Sequence, residues 1–388
     1  MSRDWPPHGA GHWQDRPLAD LLEGLGLEGL PERAFPTDGW SGARFSMIEA
    51  PGDPPARYVL KRTSPTIDWI AAATADDTSR EATLAATDRV ARDPSMSRTL
   101  PYLGAAADDD GSAVIVMPDL STELLAWERP AHEAAEIDVD VVDRTLDRLA
   151  ALHARPWSFV VDPAADDTSE TPSFPWCPLP ERLTLTARPT CARHIARGIP
   201  AGVESAGKLL AGWDAFDRTA PGEARELIAS LGADPSPLVA ALRRLPVVGL
   251  HGDLKLANVA VGPGHDQIRF IDWQMTIRAP IAVELGWFLV TNSASLPERP
   301  EAILARYRTS LDWHLNRIGY GNAKSDFSGV VGDWDAQVDL AWIVGLLLRG
   351  WRKGLDTEAG ATLGSGAGGA EDLADWCRLA VEAARRRL

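Results

Sequence analysis

The sequence predicts an α+β fold in two unequal parts. Three observations carry this. Short runs with alternating apolar residues crowd the first 118 residues around a single helical stretch. From residue 119 onward, apolar residues recur at spacings of three and four, the signature of helices. Within that helical half, residues 250–275 break the pattern with two short strand-like runs about a turn.

Residues 1 to about 30 read as a loop and then an amphipathic helix, "PLADLLEGLGLEGL". Three strand-like runs follow. "ERAFPTDG" is weakly patterned, whereas "ARFSMIEA" and "RYVLKRT" alternate clearly and are separated by the turn residues "PGDPPA". A Ser/Thr start and helical spacing make "DDTSREATLAATDRVAR" the one helix between the strands. "RTLPYLGA" and "SAVIVMPDL", either side of "AADDDG", complete five strands. This order predicts an antiparallel sheet with one helix over residues 1–118, followed by a helical part over 119–388.

In the second part "VDVVDRTLDRLAALHARPW" is helical, and 158–180 is a Pro-, Asp- and Ser-rich loop. "AGKLLAGWDAF", "GEARELIASLG" and "PSPLVAALRRL" continue the helices. "NVAVG" and "IRFIDW" are short strands about the turn "PGHDQ". Four helices close the chain: "PIAVELGWFLVTN", "PEAILARYRTSLDWHLNRIG", "WDAQVDLAWIVGLLLRGWRKG" and "EDLADWCRLAVEAARRRL". The linker "LGSGAGG" separates the last two. Two such parts meet in a cleft, where ligand pockets concentrate.

Composition narrows the function classes. No apolar run has the length of a membrane span, and the first residues lack the basic start and apolar stretch of a signal peptide. Cys177, Cys191 and Cys377 have no metal-ligand spacing, which suits a reducing, cytoplasmic setting. A net charge of −16 argues against nucleic acid and anionic membrane as partners. It serves solubility, and it would also favour a cationic small molecule. Among the 15 Trp, most are core anchors, and one or two could form a platform for a sugar or a cage for an amine.

The chemistry concentrates in "LHGDLKLANVAVGPGHDQIRFIDWQ", residues 250–274. Phosphoryl transfer needs a carboxylate to orient the acceptor hydroxyl, oxygen ligands for Mg²⁺, and cations facing the transferring group. Asp253 offers the carboxylate, and Asn258, five residues on, can turn back towards the same centre. Asp272 ends the next hairpin strand, close to that loop. Asp, Asn and Gly are also turn formers, which explains "PGHDQ" but not His251, Asp253, Asn258 and Asp272 together.

The arrangement H-x-D-x-x-x-x-N, a short hairpin and then I-D-W resembles the catalytic core of the aminoglycoside phosphotransferase and choline-kinase-like family, which has the protein-kinase fold of a small sheet lobe and a larger helical lobe. The resemblance implies that Asp253 is the catalytic base, that Asn258 and Asp272 are magnesium ligands, and that His251 props the loop. It also implies ATP, or GTP, as donor. A strand lysine should then hold the nucleotide phosphates and a helix glutamate should pair with it. Lys61 and Glu81 stand in the matching places, with Arg62 as a rival to Lys61. Gly39, Ser41 and Gly42 join the first two strands and could approach phosphate through backbone N–H groups. Val116 to Leu120 resembles the hinge that meets the base, with Met117 and Asp119 as its nucleotide-facing residues.

Lys255, two residues after Asp253, resembles the lysine of protein kinases that neutralises the γ-phosphate. Against a protein kinase stand Gly252 in place of Arg, and Trp273 and Gln274 in place of Phe and Gly. Only "WQMTIRA" separates Asp272 from Pro280, which leaves no room for a peptide-docking segment. The sequence therefore predicts a small-molecule kinase acting on a hydroxyl of an amino sugar, an aminoglycoside-like compound or another metabolite or antibiotic. A nucleotide-binding pseudokinase and a protein kinase are the alternatives. Family members commonly carry Asp where Glu284 stands here. Asp333, Asp335 and Asp339, with Trp334, Trp342 and Trp351 nearby, would suit an amine if they face the cleft; a solvated helix start and core packing are their ordinary uses.

Overall fold

The computed structural model describes residues 13–35, 39–87, 96–125, 137–155, 174–263, 267–317 and 329–388. The opening loop up to 12, the end of "DDTSREATLAATDRVAR", most of the 158–180 loop and the turn residues 264–266 lie outside them.

The first part is a five-stranded antiparallel sheet. Its strands are β1 (Glu32–Ala34), β2 (Arg44–Ala50), β3 (Ala56–Thr63), β4 (Gly104–Ala107) and β5 (Ala113–Pro118), in the order β1-β2-β3-β5-β4. Helix α1 (Leu18–Gly24) precedes it, shorter than its sequence run because the chain turns at Gly26 in the left-handed region, φ 69°. The strand alternation assigns the two faces. Leu60, Val114 and Val116 pack with Leu21 and Ile48 on one side, whereas Val59, Ile115 and Met117 pack with Ala82 on the other. Lys61 shares the parity of Val59 and therefore faces α3 (Arg80–Ala85), which carries Glu81.

Two differences from the sequence reading have local causes. The 64–79 segment contains a second helix, α2 (Trp69–Ala73), whose N-terminal amides are capped by the buried Asp68. "RTLPYLGA" begins as a helical turn, α4 (Met96–Thr99), and pairs as a strand only from Gly104. Pro101 lacks the N–H a ladder needs.

The second part is mainly helical: α5 (Val139–His153), α6 (Leu179–Thr184), α7 (Arg188–Arg197), α8 (Pro200–Thr219), α9 (Gly222–Ala233) and α10 (Ser236–Leu242). Four short strands follow: β6 (Val248–Leu250), β7 (Val259–Val261), β8 (Ile268–Phe270) and β9 (Ile277–Ala279). The chain ends in α11 (Ile281–Asn292), α12 (Pro300–Arg317), α13 (Trp334–Glu358) and α14 (Gly369–Arg387). Among the described residues, no helix is long and apolar enough to cross a membrane.

Two features of this part position the site. β7 pairs with β8, as the sequence predicts, and β6 pairs with β9, two strands it did not show. These two ladders set the loop 251–258 beside the loop 271–276. α11 is apolar nearly all round and buried under both, and its buried Glu284 and Asn292 bond inside the protein.

Candidate active site

Lys61 is the electrostatic centre. Its Nζ lies 2.6 Å from Glu81 Oε2 and 2.6 Å from Asp272 Oδ1, with only 4% of the side chain exposed. Burial works against its charge, but Asp272 and then Glu81 more than offset it and hold the ammonium above the ordinary lysine range. Burial likewise pushes Glu81 up, while Lys61 pulls it back down. Tyr102 donates to Glu81 Oε1 at 2.5 Å and accepts the Trp273 N–H at 3.4 Å, so it ties the sheet to the loop of Asp272. Arg62, the rival, points to the other side of β3 and binds Glu32, Asp108 and Ser46.

Asp272 sits in the left-handed region at φ 65°, which is costly for a residue with a Cβ. Burial would raise its carboxyl, but Lys61 and then Lys255 outweigh that and hold it down at about 2. It is a permanent anion, and a third of its side chain remains open.

The 251–258 loop is fixed from below. Gly252 N–H donates to Glu284 Oε2 at 2.9 Å and Leu254 N–H to Glu284 Oε1 at 3.3 Å. Leu256 N–H donates to Asn292 Oδ1 at 2.8 Å, and Arg182 Nε donates to the Gly252 carbonyl at 2.8 Å. His251 Nδ1 accepts the Asp253 N–H at 3.2 Å, which leaves Nε2 protonated and donating to the Ile271 carbonyl at 2.9 Å. Burial holds this imidazole down at about 4, so it stays neutral. Gly252 has φ 83°, and a Cβ there would lie 1.9 Å from the Met275 carbonyl oxygen. Glycine is required because the two loops touch at this point.

Asp253 stands on this platform with 15% of its side chain exposed. Lys255 Nζ is 3.4 Å from its Oδ2. Asn258 Nδ2 donates to the Asp253 carbonyl at 2.9 Å, which leaves its Oδ1 out of that bond. The Ile271 N–H donates to the Asn258 carbonyl at 3.0 Å and brings the Asp272 strand alongside. Asn258 Oδ1 and the open face of Asp272 are hard oxygen donors, the type magnesium takes when it arrives with phosphates. Among the described residues no group of three or more His, Cys, Asp or Glu converges as a metal cage. The donor set fits a nucleotide-borne Mg²⁺.

The remaining expected residues lie around this centre. Trp69 binds the loop 39–42 through Trp40 O and Ser41 O, and Ser41 Oγ accepts the Ala43 N–H at 3.2 Å. Gly42 has φ 93°, and a Cβ there would lie 2.3 Å from Ile67 O, so close packing on the 64–68 turn also demands glycine. Met117 is buried in the sheet. Asp119 caps the Ser121 N–H at 3.0 Å and pairs with Arg57, and its own N–H bonds Arg57 O. Asp333 caps α13, while Asp339 binds Arg386 and Arg387 of α14. Trp342 packs on Trp376 and Trp334 stacks with Tyr307. Tyr102, Arg182 and Asn292 took no part in the sequence reading. Each meets the site only through a contact across many residues, which no local pattern reveals.

The chain can also be compared with known proteins. No curated protein matches the chain by sequence. Among solved structures it is similar to the choline kinase LicA of Streptococcus pneumoniae, at 12% identity, with 94% of this chain and 96% of that chain covered and a TM-score of 0.45. It is also similar to the macrolide 2'-phosphotransferase MphH of Brachybacterium faecium, at 18% identity, with 85% and 97% covered and a TM-score of 0.36. The profile of the phosphotransferase enzyme family matches residues 33–318, a span that holds the strand of Lys61, both loops and the helix of Glu284. The chain belongs to the phosphotransferase enzyme family.

Proposed function

We propose that this enzyme moves the γ-phosphate of ATP to a hydroxyl of a small molecule. One observation carries the reading: Lys61 on the sheet bridges to Asp272 across the cleft, beside a loop that presents Asp253 on a fixed platform. Lys61 neutralises the nucleotide phosphates, and Glu81 keeps it in place. Asn258 and Asp272 hold Mg²⁺, which supplies positive charge against the phosphates. Asp253 accepts a hydrogen bond from the acceptor hydroxyl and aims it for in-line attack. Lys255 offsets charge on the transferred group. The 39–42 loop covers the phosphates, and the backbone near Met117 and Asp119 meets the base, which leaves GTP as an alternative donor. Dependence on a nucleotide of this kind goes with a cytoplasmic site of action.

The acceptor is small because residues 273–280 run directly from β8 through β9 into α11, with no segment on which a peptide could dock. An ADP-release screen over hydroxylated metabolites and antibiotics, run with ATP and with GTP, tests the reading. Stimulation by one acceptor class is the expected result. Nucleotide binding with no acceptor-stimulated release across the panel would point to a binding scaffold, and label transferred to polypeptide would point to a protein kinase.

A further inference from the structure

Three buried N–H donors near the catalytic loop have no acceptor among the described residues. They are Arg182 Nη2 on α6, Trp287 Nε1 on α11 and Arg349 Nε on α13. They belong to one cluster: the Arg182 guanidinium lies 4.5 Å from the centre of the Trp287 ring, and the Arg349 guanidinium 5.7 Å from the same ring. Arg182 is 1% exposed and Trp287 7%. Neither arginine forms an ion pair among the described residues. The nearby carboxylates are committed elsewhere: Glu284 to the loop amides, Asp356 to Arg352, and Asp253 beside Lys255.

This arrangement is unfavourable as it stands. Buried donors normally find acceptors, and two guanidinium groups at one indole repel each other. Burial pulls both below the ordinary arginine range, Arg349 to about 10. An oxygen-rich anion would supply the acceptors and the counter-charge that this cluster lacks, and a planar or tetrahedral oxyanion matches the guanidinium fork.

The cluster also has a position. Arg182 Nε bonds the Gly252 carbonyl, next to Asp253. Trp287 lies one helical turn beyond Glu284 on the same face of α11. In the other direction Arg349 meets Trp351 at 5.0 Å, and Trp351 meets Trp40 of the 39–42 loop at 5.9 Å. The row thus runs from the catalytic loop to the loop proposed to cover the phosphates.

We propose that Arg182, Trp287 and Arg349 form an acceptor subsite for an anionic group, a carboxylate or a phosphate, on the hydroxylated substrate. This rests on the phosphotransferase reading of Asp253, and it replaces a cationic acceptor with an acidic one.

Calorimetric titration of the enzyme with bound magnesium and a non-hydrolysable ATP analogue tests it. The probes are gluconate, glucose 6-phosphate, glucose and glucosamine. One of the two anions should bind at least about tenfold more tightly than glucose and glucosamine, and which one does so tells carboxylate from phosphate. Arg349→Gln should abolish that preference and leave affinity for the ATP analogue unchanged; Arg349→Lys, which keeps the charge, should retain part of it and guards against misfolding of the first variant. Absence of any anion preference overturns the inference, as does a preference that survives Arg349→Gln. Loss of nucleotide affinity in Arg349→Gln also overturns it, because the cluster would then serve the donor. Anion preference without ADP release in the presence of ATP would leave the subsite standing and sink the kinase reading instead.

Discussion

Lys61 is held between two carboxylates by charge, and removing it should expose how much that charge matters. Lys61→Met would leave Glu81 buried beside Asp272 with no cation between them. Loss of one partner from a buried ion pair costs about 3 kcal/mol. Urea unfolding of Lys61→Met should show a drop of that size, together with weaker nucleotide binding. Glu284 gives a pH test. Burial, opposed by the two loop amides, raises its carboxyl from 4.5 to about 7. The folded state therefore binds this proton more tightly than the unfolded chain does. The resulting stability is fully present below about pH 4.5 and is lost as pH rises through 7, on the order of 3 kcal/mol in all. The stability gap between wild type and Glu284→Gln should shrink over that window; a gap that widens with pH would contradict the assignment. At this scale the sequence was informative where residues sit together. Spacing grouped Asp253, Asn258 and Asp272, and the structure sets them side by side; Lys61 was expected only from the family resemblance, with Arg62 as its rival, and it is Lys61 that meets Asp272. Glu284 was visible as a helix-start carboxylate, but its bonds to Gly252 and Leu254 span some thirty residues and left no local trace.

Two loops in contact form the working element, and Gly252 is where they meet. Gly252→Ala would drive a Cβ into the Met275 carbonyl and strain a backbone at φ 83°. The loop must then lift from Glu284, and Asp253 shifts with it. A displacement of roughly 1 Å costs about a hundredfold in turnover. Steady-state kinetics of Gly252→Ala should show that loss in kcat with the nucleotide still bound. The sequence made Gly252 look like an exchange for the arginine of protein kinases; the structure shows that a side chain has no space there. Elements of ordinary length were legible: β2, β3, β5 and the long helices follow their apolar periods. The three-residue strands β6 and β9 were not: β7 and β8 are as short but flank the turn "PGHDQ", whereas β6 and β9 pair across a long stretch of chain with no turn between them to mark a hairpin. "RTLPYLGA" misled by composition, since its proline keeps the first residues out of the ladder.

The whole molecule is a sheet lobe and a helical lobe locked together at the site itself. Lys61 to Asp272, and Tyr102 to Glu81 and Trp273, bridge the two parts, so nucleotide affinity and lobe contact are linked. The helical part has its own lock. Lys353 of α13 is buried and pairs with Asp372 of α14. Asp372→Asn should lower stability by about 3 kcal/mol, seen as a lower urea midpoint, because a buried ammonium loses its counter-charge. The acidic run at 333–339 shows how far charge counting reaches: Asp339 fastens α14 through Arg386 and Arg387. The kinase-like order of sheet then helices was legible from periodicity and one motif. The wall of the acceptor side was not, since Arg182, Trp287 and Arg349 come from three distant helices. The proposed role of Asp253 is to orient the acceptor on a nucleotide-binding scaffold. Its most direct test is Asp253→Asn, measured for acceptor-dependent ADP release and for MgATP affinity. kcat should fall about a thousandfold, with MgATP affinity changed by less than about threefold. Near-normal turnover in Asp253→Asn would contradict it.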